Sequence, residues 1–189
     1  MTEAKIEKKI LREEVLSERD SLNWSEILEK SRRIKESFLA LPEVMKADTI
    51  ALYASKGSEV FTHDLIRELL PRKTVVLPKV ENARQRVMKL AAITTFEELS
   101  PGFMGVLEPL RAAKFVEKSA VDVVAVPVVG FDENLNRLGH GMGFYDVFLK
   151  GVEAVKIGLA FESQKLKRIP VSEHDVPLDI VVTEKKVYR

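Results

Sequence analysis

Between Val126 and Asp146 an apolar run gives way to Arg137-Leu138-Gly139-His140-Gly141-Met142-Gly143-Phe144-Tyr145-Asp146, and these residue types suit the holding of a polyphosphate. Glycine has no Cβ and tolerates positive φ, so a loop with Gly139, Gly141 and Gly143 can press its backbone N–H groups against an anion. Arg137 adds a planar fork of donors matched to phosphate oxygens, with a charge that does not titrate near neutral pH. Asp146 is a candidate Mg²⁺ ligand at the far end. The apolar residues after Gly143 predict a helix start, whose partial positive charge would add to the pull on phosphate. The run lacks the Gly-Lys-Ser/Thr ending of the P-loop and spaces its glycines two apart throughout. The alternative is a tight strand-to-helix connection with Arg137 in solvent.

The apolar pattern predicts the elements that position this run. Residues 121–129 are mostly valine, as expected of a central strand covered on both faces in a parallel sheet. Helices are expected over residues 2–19, with Ile6, Ile10, Leu11 and Val15 as the apolar set, and over 25–41, capped by Ser25 and ended by Pro42. Branched segments at 49–54, 74–77, 87–93, 155–161 and 179–183 predict strands, with helices at 61–70 and 145–151 between them. Residues 94–119 carry turn signals at Pro101-Gly102 and Pro109, with a short helix expected after Pro109. The order implies one α/β domain over residues 1–189: three layers, a mainly parallel central sheet and helices on both faces. Ligands in such sheets collect beyond the carboxyl ends of the strands, where the glycine-rich run lies.

Composition narrows the function. At 46% hydrophobic residues the 189-residue chain can bury a full core. With no long apolar run and a charged start, neither a membrane span nor a secretion signal is expected, and a cytoplasmic location follows. Zero cysteines exclude disulfides, thiolate nucleophiles and Cys-bound metals. Thirty basic against 29 acidic residues leave a formal charge of +1, without a general drive toward nucleic acid or anionic membrane. Anion binding must be local. Lys8 and Arg12 stand four apart on the first predicted helix, so both can reach one anion, although Glu7, Lys9, Glu13 and Glu14 around them also fit a solvated charged face. Glu59 after a predicted strand end and Asp175 in Glu173-His174-Asp175-Val176-Pro177 could each cap a turn or face a ligand.

Val126-Pro-Val-Val-Gly-Phe-Asp132 followed by the run from Arg137 to Asp146 resembles the hallmark of 5-formyltetrahydrofolate cyclo-ligases, also called 5,10-methenyltetrahydrofolate synthetases. Lys8-Lys-Ile-Leu-Arg12, Gly57-Ser-Glu59, Leu77-Pro-Lys79, and His174-Asp175 with Asp179 extend the resemblance in order along almost the whole chain. It implies an α/β enzyme that uses ATP, with Mg²⁺, to close 5-formyltetrahydrofolate into 5,10-methenyltetrahydrofolate, releasing ADP and phosphate. It implies phosphorylation of the formyl oxygen and attack by N10.

By the same resemblance Lys8 and Arg12 contact ATP phosphates, and Arg137, Leu138, Gly139, His140, Gly141, Met142, Gly143, Phe144 and Tyr145 surround the nucleotide. Arg137 and Tyr145 take the catalytic roles, and no acid–base role falls to His140. Asp146 and Asp175 meet at Mg²⁺, Glu59 binds the pterin, and Lys79 lies near the glutamate tail or a phosphate. Many relatives have Tyr-Tyr-Asp where this chain has Phe144-Tyr145-Asp146, one hydroxyl fewer. The partners expected are 5-formyltetrahydrofolate and ATP, for a monomer with no nucleic acid and no membrane. A sugar-phosphate isomerase or sugar-phosphate sensor of related fold, and a binding protein that has lost the ligase chemistry, are the alternatives.

Overall fold

A computed structural model describes residues 3–110 and 114–189. Its first helix, α1 (Glu3–Asp20), turns inward a face other than the one its isoleucines suggest. Ile6 and Ile10 are exposed, while Lys8, Leu11, Arg12, Val15, Leu16 and Arg19 form the covered stripe at three- and four-residue steps. Only Leu11, Val15 and Leu16 join an apolar cluster, with Val129, Leu138 and Ile169. The rest of the covered face is cationic.

A capping box sets the start of α2 (Trp24–Leu39). Asn23 Oδ1 accepts from the Glu26 N–H at 3.0 Å, and the Glu26 carboxylate accepts from the Asn23 N–H at 2.9 Å. Asn23 therefore takes the role expected of Ser25. Pro42, expected only to end this helix, opens α3 (Pro42–Lys46), since its missing N–H is no loss in a first turn.

The chain continues through β1 (Thr49–Ala51), α4 (His63–Leu69), β2 (Thr74–Asn82) and β3 (Val87–Ile93). Next come β4 (Leu99–Pro101), β5 (Leu107–Pro109), β6 (Phe115–Val116) and β7 (Val123–Pro127). The short helix expected after Pro109 falls on residues 111–113, outside the described residues. Then follow β8 (Gly130–Phe131), β9 (Arg137–Leu138), α5 (Phe144–Leu149), β10 (Val155–Leu159), β11 (Ile180–Val182) and β12 (Val187–Tyr188). Eight strands form one sheet in the order β12-β11-β10-β7-β1-β2-β3-β6. Its centre is parallel and its edge pairs β11–β12, β2–β3 and β3–β6 are antiparallel.

The valine run is central, as expected, and apolar on both faces for a visible reason. Val123 and Ala125 join Ile50, Val75, Leu77, Ile157 and Val182 under Ile34 and Phe38 of α2 and Leu65 and Ile66 of α4. Val124 and Val126 point the other way, with Ala51, Val76 and Val181, toward Phe148 and Leu149 of α5. Period-two alternation thus feeds two separate cores.

Several strands differ in length from expectation: those predicted over 121–129, 155–161 and 179–183 are shorter, as Val123–Pro127, Val155–Leu159 and Ile180–Val182, and two others differ for a visible reason. The strand predicted over 49–54 stops at Ala51, and residues 52–62 form a loop in which Thr62 Oγ1 accepts from the Ser55 N–H at 3.0 Å and Ser55 Oγ from the Thr62 N–H at 3.1 Å. The strand predicted over 74–77 runs to Asn82, because its pairing with β3 extends it well past the end of β1.

Candidate active site

Beyond Pro127 the chain makes a small hairpin, β8–β9, whose purpose is legible from its hydrogen bonds. Asp132, 1% exposed, accepts from the N–H groups of Asn134 and Asn136 at 3.0 Å, from Asn136 Nδ2 at 3.1 Å and from the Ile169 N–H at 2.9 Å. Gln164 Nε2 donates to the carbonyls of Val128 and Val129 at 2.7 and 2.8 Å. These two buried residues fix the backbone that delivers Arg137, and neither was singled out from the sequence. The signal for Asp132 was the Asp-x-Asn-x-Asn spacing, typical of a side chain that caps its own turn.

Arg137 is not in solvent. Its guanidinium is nearly fully covered, donates from Nη2 to Asp146 Oδ1 at 2.7 Å, and stands 5.6 Å from the centre of the Tyr145 ring. Its Nε is buried with no partner among the described residues. The alternating glycines acquire a specific reading. A Cβ on Gly139 would lie 2.6 Å from Arg137 Nη1, one on Gly141 3.2 Å from Arg12 Cζ, and one on Gly143 3.3 Å from Arg86 Nη1. Each glycine faces one guanidinium. Gly141 and Gly143 have φ of 91° and 74°, whereas Gly139 is not in the positive-φ region, so there the requirement is space rather than conformation.

That distinction yields a prediction. Gly139→Ala has no backbone penalty, yet its methyl must displace the Arg137 fork. Activity should fall about 10²-fold for a displacement of about 1 Å, with a melting temperature near that of the parent. Unchanged turnover would show that the fork's position does not matter.

Helix α1 reaches this loop from below. Arg12 Nε donates to the Gly139 carbonyl at 2.7 Å, and burial pulls its pKa down from the usual arginine value, with Glu13 opposing. Lys8 pairs with Asp175, one turn before Arg12 on the same face. Burial pushes the Asp175 carboxyl up, but the hydrogen bonds from Lys8 and the Ser172 N–H outweigh it, so the net shift is downward. Further along, Arg19 donates from Nε to Ser58 Oγ at 3.0 Å, steadying the loop that carries Glu59. The polar inner face of α1 thus has partners in the Gly139 carbonyl, Asp175 and Ser58.

His140, on the same loop, bonds through Nε2 to Glu59 Oε1 at 3.0 Å, and the other Glu59 oxygen accepts from the Lys56 N–H at 2.8 Å. Leu138 packs its side chain into the core under α1, and Met142 is exposed. Phe144 lies 5.5 Å from the Phe103 ring, centre to centre. Desolvation pushes the Tyr145 hydroxyl well above its ordinary pKa, Glu59 adding to the rise and Arg137 opposing it, so this hydroxyl stays protonated. Lys79 Nζ donates to the Pro109 carbonyl at 2.7 Å and stands 4.0 Å from Glu108. The helix after Gly143 has only six residues, Phe144–Leu149, rather than running to residue 151, which leaves it a weak dipole.

Both carboxylates expected at a metal are paired with cations expected at phosphate, Asp146 with Arg137 and Asp175 with Lys8. Among the described residues no group of three or more His, Cys, Asp or Glu side chains could hold a metal alone. This donor set does not suit a resident structural metal. It suits Mg²⁺, a hard ion that takes one or two carboxylates and completes its shell with phosphate oxygens and water.

Residues 4–184 match the model of the 5-formyltetrahydrofolate cyclo-ligase family. A 5-formyltetrahydrofolate cyclo-ligase from Haemophilus influenzae is 30% identical over 178 residues, covering 91% of this chain and 95% of its own. One from Escherichia coli K12 is 32% identical over 165 residues, covering 85% and 91%. The NMR structure of Aquifex aeolicus 5,10-methenyltetrahydrofolate synthetase superposes with a TM-score of 0.87 at 37% identity, over 96% of this chain and 92% of that one.

Proposed function

The chain belongs to the 5-formyltetrahydrofolate cyclo-ligase family, and from that premise we propose that it closes 5-formyltetrahydrofolate to 5,10-methenyltetrahydrofolate at the expense of ATP, with Mg²⁺, at the glycine-rich loop. The observation that carries this reading is the convergence of Lys8 and Arg12 from α1 with Arg137, Gly139 and Asp175, residues far apart in sequence. Such a cluster has the charge complement of a metal–triphosphate. Phosphate oxygens would take the cations Lys8, Arg12 and Arg137, and Mg²⁺ would be held by Asp146 and Asp175, supplying charge neutralisation on the phosphates.

The chemistry asked of the side chains is positioning and charge balance. An N-formyl group is an amide, and N10 cannot expel oxide from it. Transfer of the γ-phosphoryl to the formyl oxygen releases ADP and makes that oxygen a leaving group; N10 then attacks the formyl carbon and gives up its proton to the phosphate or to water, and the C–O bond breaks to release phosphate. No covalent nucleophile is needed, in keeping with a chain without cysteine. Glu59 would accept from the amide and amino N–H groups of the pterin. Its 3.0 Å contact with His140 of the glycine-rich loop supports a shared reaction centre. The Tyr145 hydroxyl, kept protonated by desolvation, is a donor on a ring whose centre lies 5.6 Å from the Arg137 guanidinium. Among the described residues no helix is long and apolar enough to cross a membrane.

The direct test mixes the protein with MgATP and 5-formyltetrahydrofolate and follows the near-ultraviolet absorbance of the methenyl product. Product should form only with ATP, and its absence in the complete mixture would refute the reading. For the metal, Asp146→Asn should raise the Mg²⁺ needed for half-maximal rate about tenfold or more. A Mg²⁺ titration that superposes on the parent's would remove Asp146 from that role.

A further inference from the structure

The β2–β3 hairpin runs beyond the end of β1 and carries Arg86 at its tip, across the glycine-rich loop from α1. Resting on the nucleotide reading above, we propose that Arg86 is a further phosphate-binding residue, brought to the triphosphate by this hairpin.

Its position is the first ground. The side chain occupies the space over Gly143, with Nη1 3.3 Å, Cδ 3.5 Å and Cζ 3.7 Å from the point where a Cβ on that glycine would stand. Gly143 adopts φ of 74°, so the loop carries no side chain there and leaves its backbone open to the guanidinium. Arg12 and Arg137 stand in the same relation to Gly141 and Gly139, and Arg86 completes the set.

Charge is the second ground. Arg137 is paired with Asp146, and Lys89 in the same hairpin stands 3.6 Å from Glu81. Arg86 forms no ion pair among the described residues, so a guanidinium suited to bidentate phosphate recognition faces the loop with its charge unmatched.

The turn that presents it is ordered. Gln85 donates its N–H to Asn82 Oδ1 at 3.0 Å, Asn82 Nδ2 donates to Gln85 Oε1 at 3.2 Å, and the Arg86 N–H reaches the Ala83 carbonyl at 3.3 Å. Arg86 itself has φ of 57°, a conformation that glycine would hold more easily. The side chain is exposed, so its removal disturbs no packing.

Arg86→Gly and Arg86→Lys test the assignment. Arg86→Gly should melt at or above the parent's temperature, because glycine suits that φ, while its Kd and KM for ATP rise about tenfold. Arg86→Lys should recover part of the loss. Affinity for adenosine, which has no phosphate, and KM for 5-formyltetrahydrofolate should not move. ATP affinity within about twofold of the parent's, or an equal loss for adenosine, would overturn the assignment. Failure of the unsubstituted protein to bind ATP would overturn the nucleotide reading and this inference together.

Discussion

Arg137→Lys is expected to fold and to turn over substrate about 10²–10³-fold more slowly than the parent. Lysine keeps the charge but concentrates it on one ammonium. It cannot reproduce a fork that reaches Asp146 with Nη2 while Nη1 lies over Gly139. The alanine variant is a poorer probe, since removing the guanidinium strands the partly covered Asp146 carboxylate and mixes lost stability with lost catalysis. With lysine the pair partner remains charged, and destabilisation should stay near 1–2 kcal/mol. The informative pair of measurements is the single-turnover rate at saturating MgATP and the thermal midpoint. A loss confined to KM for ATP would mean that Arg137 binds ground state and transition state equally. A rate equal to the parent's would remove it from the chemistry.

The layered fold was readable because each central strand alternates between two apolar cores, so that Val123 and Val124 needed only to be hydrophobic, whichever way they faced. The parallel centre followed from the same regularity, the family from the resemblance of its motifs, and the family match sets aside the sugar-phosphate isomerase alternative. Helix α1 misled because the usual rule assumes that a covered face is apolar. Here the face turned toward the protein carries Lys8, Arg12 and Arg19, each with a polar partner, leaving Ile6 and Ile10 outside. The glycine spacing marks a loop open to close approach but not that each glycine faces a different guanidinium, since an arginine over a glycine leaves no mark in local sequence. Arg86 had no local signal at all: it meets Gly143 only because β2 and β3 pair far past β1. Lys79 sat in a family motif, yet its bond to the Pro109 carbonyl depends on strand β5, whose place beside β2 no periodicity announces.

Asp132→Ala should cost about 3–5 kcal/mol of stability, the largest loss expected from any single polar side chain here. The carboxylate is buried, forms no ion pair among the described residues, and is held by four N–H donors from Asn134, Asn136 and Ile169. Alanine leaves those donors without acceptors in a place water does not reach. For a chain of this length each kcal/mol moves the midpoint by roughly 2–4 °C, so a fall of roughly 10 °C is expected. Asp132→Asn keeps the shape but turns one acceptor into a donor against an N–H, and should fall between parent and alanine. Because the same bonds fix the turn between β8 and β9, the folded fraction of either variant should also lose activity through a misplaced Arg137. A midpoint within about 2 °C of the parent's would mean that water or a rearranged turn satisfies those donors, and that Arg137 is held in place by its Asp146 pair and its neighbour Tyr145 instead.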